Sequence, residues 1–68
     1  MPVIEITMGR SNTEQKKALI QRLTADAIEI TGIPASEFTV LIHELDRESI
    51  GRGGRTCADI MAEMAQRK

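Results

Sequence analysis

The sequence predicts an α/β fold, a βαβ subunit with parallel strands, on three observations. Two apolar stretches with strand-like alternation flank one long amphipathic helix, and the connections between them are short. The stretch after the second strand is polar and glycine-rich, so it reads as an excursion closing on a short C-terminal hairpin or helix rather than a packed layer.

Size bounds what this unit can do alone. The 68 residues make a single domain over 1–68, below the length at which one core is comfortably stable. Cys57 is the only cysteine, which excludes an internal disulfide, and with a single histidine it makes a poor metal set. Oligomerisation is the remaining supplement, and a second layer missing from one face of the sheet points the same way. A net charge of -1 and a single aromatic residue give no case for nucleic acid. No apolar run approaches a membrane span and no signal peptide is visible, so the expected setting is cytoplasmic, with no membrane partner.

The first strand reads from Pro2 to Met8, with Ile4, Ile6 and Met8 on one face and Val3, Glu5 and Thr7 on the other. Proline is tolerated as a first strand residue because it lacks only a terminal ladder donor. Gly9 and Arg10 turn the chain. Ser11 and Glu14 have the spacing of a capping box, opening a helix over 12–31. Its apolar stripe is Leu19, Leu23, Ala27 and Ile30, widened by Ile20 and Ile28, while Lys16, Lys17 and Arg22 read as solvated. Gly32 is the expected left-handed stop, and Pro34 prevents resumption. After a turn at 34–37, Phe38 to Glu44 forms the second strand. Phe38, Val40 and Ile42 face one way; Thr39, Leu41 and His43 face the other. Residues 45–55 centre on Gly51-Arg52-Gly53-Gly54, and Thr56-Cys57-Ala58-Asp59 opens a short amphipathic helix. The glycine cluster matches neither a P-loop nor a dinucleotide fingerprint.

Pro2 stands directly behind the initiator methionine. A small residue there allows Met1 to be clipped, which would leave a secondary amine held rigid by its own ring. The bland alternative is a common second residue whose nitrogen stays an amide.

Pro2 opening a strand, then Gly9-Arg10-Ser11, Glu14-Gln15-Lys16, Ile42-His43-Glu44 and Gly51-Arg52-Gly53-Gly54 together resemble the 4-oxalocrotonate tautomerase family. The resemblance runs over nearly the whole chain up to Gly54. It implies a βαβ subunit whose sheet is completed by dimerisation, commonly within a trimer of dimers. It also implies a cofactor-independent tautomerase of small 2-hydroxydienoates or 2-oxo acids, with Pro2 as general base or acid. Arg10 then matches the arginine that binds a substrate carboxylate. The chain departs from the family pattern in three places. It is about two residues shorter between Pro2 and Gly9, Thr39 stands where a second arginine is expected, and Ile50 stands where an aromatic residue is expected.

The chemistry fits those residue types. A secondary amine in water is almost wholly protonated, but burial and a neighbouring guanidinium both lower its pKa. A depression of ~2–3 units corresponds to roughly 3–4 kcal/mol. With Thr39 in the second arginine's place, Arg52 is expected to supply another cation, from a neighbouring subunit, to a dicarboxylate substrate. Arg47 is less favoured because Asp46 and Glu48 flank it. Ile50 would line the pocket. His43 has two readings, a substrate hydrogen bond or a structural histidine. Two rival functions stay open: a Pro2-dependent hydratase, dehalogenase or decarboxylase of a small unsaturated or 3-oxo acid, and a non-catalytic small-molecule-binding oligomer.

Overall fold

Alternating apolar residues, a capped helix and a second alternating run assemble in the expected order in the computed structural model, which describes residues 1–66. Strand β1 (Val3–Gly9) leads into helix α1 (Thr13–Thr31); a 3-10 turn at Ala35–Glu37 precedes strand β2 (Thr39–Leu45). β1 and β2 pair in parallel, with Val3 opposite Thr39 and Gly9 opposite Leu45, a constant offset of 36 positions. A second 3-10 turn (Arg47–Ser49) leads to a hairpin of β3 (Gly51–Arg52) and β4 (Arg55–Thr56), and helix α2 (Cys57–Gln66) closes the described chain.

The helix begins one residue later than the Ser11 capping box predicts. Asn12 is the N-cap: its Oδ1 accepts from the Gln15 amide at 2.8 Å, and the Gln15 side chain accepts from the Asn12 amide at 3.3 Å. Ser11 is unavailable because its amide and hydroxyl both donate to Glu44. The C-terminus follows expectation: Gly32 adopts φ +74°, and its amide donates to the Ile28 carbonyl. Pro34 caps the following 3-10 turn, and Phe38 closes it rather than opening β2.

Ile4, Ile6 and Met8 of β1 and Val40 and Ile42 of β2 are half-buried beneath Leu19, Leu23, Ala27 and Ile28 of α1. Three helix residues depart from the predicted pattern, Ile20 the least of them at 42% exposed. Ile30 is 83% exposed, off the packed stripe. Lys16, read as solvated, leans onto β2 and donates to Glu44 Oε1 at 3.0 Å.

Among the described residues none is fully buried. The radius of gyration is 16.1 Å, against roughly 11 Å for a compact chain of this length. Val3, Leu41 and Leu45 stand 50%, 41% and 37% exposed on the sheet face away from α1. The helix covers one face of the sheet, and nothing among the described residues covers the other.

In the hairpin, Gly53 (φ +61°) and Gly54 (φ +82°) make the two-residue turn, the paired positive φ values a type I′ connection requires. Arg52 and Arg55 stand directly opposite each other, an unfavourable like-charge pair. Arg55 is drawn off by Glu63 of α2. The Asp59 amide donates to Thr56 Oγ1 at the start of α2, and the Cys57 amide donates to the Ile50 carbonyl at 2.7 Å.

Candidate active site

Parallel pairing gives the sheet two chemically different ends. At the amino end, Pro2 enters β1 half-buried and on the α1 side by strand alternation. Its carbonyl accepts from the Thr39 amide at 3.1 Å. Thr39 pairs with Val3, so its side chain lies on the open face, opposite to the Pro2 ring. Backbone proximity therefore does not bring the Thr39 hydroxyl and the Pro2 nitrogen to one pocket within a chain. With Met1 attached, that nitrogen is an amide and has no basic lone pair.

At the carboxyl end, Arg10 follows β1 and Asp46 follows β2 at the same 36-residue offset. They form an ion pair, Arg10 Nε to Asp46 Oδ1, at 2.5 Å. That hydrogen bond, with the attraction between the charges, raises the arginine pKa and holds the Asp46 carboxyl below the usual carboxylate range. The turn bearing Arg10 is fixed from below. Glu44 Oε2 accepts from the Ser11 amide at 2.7 Å and, more weakly, from the Ser11 hydroxyl at 3.4 Å; its Oε1 accepts from Lys16. The Ser11 amide and then the Lys16 ammonium keep the Glu44 carboxyl below its ordinary range. An open cleft of about 600 Å³ surrounds Arg10, lined by Leu45, Asp46, Arg47, Glu48 and Ala58 of α2. A second hollow of about 540 Å³ runs along α1 past Met8, Leu19 and Leu23 and also reaches Arg10. Neither includes Pro2.

The two ends lie far apart. Eight residue steps of nearly extended chain lead from Pro2 to Arg10, roughly 26 Å at 3.3 Å per residue. Ile50 and Arg52 belong to the module that follows β2, while Pro2 lies at the other end of the sheet. Arg52 is exposed on β3 and is not among the residues lining the Arg10 cleft. His43 sits on the open face with its Nε2 3.3 Å from Glu5 Oε2, some four residues along β2 from Thr39. A single chain thus does not bring Pro2 and the carboxylate-binding candidates together. Cys57 is a free thiol, half-buried at the first position of α2.

Sequence reasoning missed Asp46 and Glu44 as partners. Glu44 was legible, since it occupies an inward position of β2 after Val40 and Ile42; the pairing of Arg10 with Asp46 needs the strand register. A carboxylate facing a helix in that way requires donors.

A family model described as tautomerase enzyme matches residues 2–60. The chain is 37% identical over 60 residues to a probable tautomerase of Bacillus cereus, covering 87% of this chain and 98% of that protein. Among solved structures, it is similar to TomN, a 4-oxalocrotonate tautomerase homologue of a tomaymycin biosynthetic pathway. That likeness has a TM-score of 0.86 at 32% identity, over 90% of this chain and 95% of the other. A heterohexamer 4-oxalocrotonate tautomerase from Chloroflexus aurantiacus matches at a TM-score of 0.78 and 35% identity, over 88% of this chain and 98% of the other.

Proposed function

The chain belongs to the tautomerase family of isomerases, and we propose that it moves a proton between oxygen and carbon of a small 2-hydroxydienoate or 2-oxo acid, using the amine of Pro2. Removal of Met1 is a requirement of this reading, since it frees the secondary amine. The amine takes the enol hydroxyl proton and a proton is returned to carbon, so no atom is gained or lost and no cofactor is called for. Arg10 holds the substrate carboxylate through its planar fork and its charge stabilises the enolate that develops.

The observation that carries this reading is the position of Pro2: directly before β1, half-buried, and anchored through its own carbonyl to Thr39. Apolar surroundings disfavour the protonated amine, and an arginine brought nearby lowers its pKa further, which moves it toward the operating range of a general base.

The arginine beside Pro2 belongs to another copy in this reading. Its own Arg10 lies at the far end of the strand, while a neighbouring subunit running the opposite way presents the right end. The active form is then a homo-oligomer, a hexamer built as a trimer of dimers. Support comes from the uncovered sheet face with Val3, Leu41 and Leu45, and from the absence of any fully buried residue among those described. In the same arrangement Thr39, Ile50, His43 and Arg52 are available to a neighbour's substrate.

The test is ketonisation of phenylenolpyruvate followed by ultraviolet absorbance, alongside intact-mass measurement. A protein lacking Met1 that turns over the enol, and loses that activity in Pro2→Ala, is expected. Retention of Met1 on a fully active protein would sink the mechanism.

A further inference from the structure

We infer that Asp46 makes the Arg10 site selective for a substrate with one carboxylate. The inference rests on the assignment of Arg10 to carboxylate binding and adds the residue that sets how much negative charge the site accepts.

Asp46 occupies the Nε edge of Arg10, leaving the two terminal nitrogens to grip a carboxylate. The charged residues lining the cleft are Arg10 and Arg47 against Asp46 and Glu48, so their formal charges cancel. Glu44, the next carboxylate along β2, is already matched by Lys16. A monocarboxylate entering this neutral lining finds the free edge of Arg10 and brings one charge. A dicarboxylate brings a second charge into a lining whose two arginines are already balanced in formal charge by Asp46 and Glu48. The hydrogen bond from Arg10 and its charge hold the Asp46 carboxyl below the usual carboxylate range.

Sorbate and muconate form a suitable probe pair, since they share a six-carbon diene and differ by one carboxylate. Calorimetric titration of the wild-type oligomer is expected to show sorbate bound at least as tightly as muconate. Asp46→Asn keeps the size of the side chain and removes its charge. It is expected to tighten sorbate by about threefold and muconate by about tenfold, because the dianion interacts with the lost charge twice. Muconate bound several-fold more tightly than sorbate by the wild type overturns the inference without needing any variant. Equal gains for both probes, or a loss of affinity for both in a variant of unchanged circular dichroism, also overturn it: Asp46 would then only position Arg10. If neither probe binds the wild type while Arg10→Ala changes nothing, the carboxylate-binding role of Arg10 fails first and this inference falls with it.

Discussion

The Thr39 amide donates to the carbonyl of Pro2 at 3.1 Å, so the residue proposed as the base is fastened by its backbone and not by its side chain. Any residue at position 2 keeps that carbonyl. Pro2→Ala is therefore expected to preserve the β1–β2 pairing and the circular dichroism spectrum. It replaces a rigid secondary amine by a flexible primary one. Enol turnover should fall by about 10²-fold or more, the usual scale of a lost acid–base group. A variant within a few-fold of wild type would remove Pro2 from the mechanism.

Arg10→Ala should raise KM and lower kcat, because Arg10 is assigned both to holding the substrate carboxylate and to stabilising the enolate. Arg10→Lys should recover little of the loss, since an ammonium cannot form the two-pronged contact. Arg52→Ala offers a contrast. Arg52 lies outside the cleft of its own chain and is proposed to reach a neighbour's substrate. Its loss should raise KM more for a dicarboxylate enol than for a monocarboxylate one. Steady-state kinetics with 2-hydroxymuconate and phenylenolpyruvate separate the two arginines, and identical effects on both substrates would count against the role given to Arg52.

How much of this was legible in the sequence depends on range. The period of the helix, the Gly32 stop, both strands and the glycine hairpin are local signals, and all are present in the fold. Asn12 displaced Ser11 as the cap because Ser11 is engaged by Glu44, 33 residues away, a competition that no local window reveals. Ile30 left the stripe although it keeps the helical spacing, because the end of α1 packs through Ala27 and Ile28 instead. In the site, Pro2, Arg10 and Thr39 were singled out from their order along the chain. Their separation to opposite ends and faces of the sheet is a property of strand direction and register, which becomes visible only when both strands are aligned.

Glu44 should govern stability on the acid side. Its carboxyl is held below the usual range by the Ser11 amide and Lys16, and Asp46 is held down by Arg10. A depressed carboxyl stabilises the fold above its unfolded pKa, and that contribution disappears as pH falls through the lower folded value. Unfolding midpoints in urea are therefore expected to be flat near neutrality and to fall once pH drops below the ordinary glutamate value of about 4.3. Glu44→Gln should be less stable than wild type at pH 7, and the difference should shrink on acidification. A difference that stays constant from pH 7 to pH 3 would mean that the charge of Glu44 is not what holds the turn.

The distance between Pro2 and Arg10 gives the most direct test of a shared site. The seven residues of β1 put eight steps of chain between them, roughly 26 Å in one chain, so a pocket containing both must draw them from different copies. Pro2→Ala chains retain Arg10, and Arg10→Ala chains retain Pro2. Each pure oligomer is expected to be nearly inactive. When equal amounts are unfolded together and refolded, a site works if its proline comes from one variant and its arginine from the other. Random assembly in a symmetric oligomer places that combination in roughly a quarter of the sites. Recovery of about that fraction of wild-type activity is expected, with the same sedimentation coefficient as the wild type. Mixtures that co-assemble, shown by exchange of a mass-labelled chain, yet remain as inactive as either parent would mean that Pro2 and Arg10 never serve the same substrate.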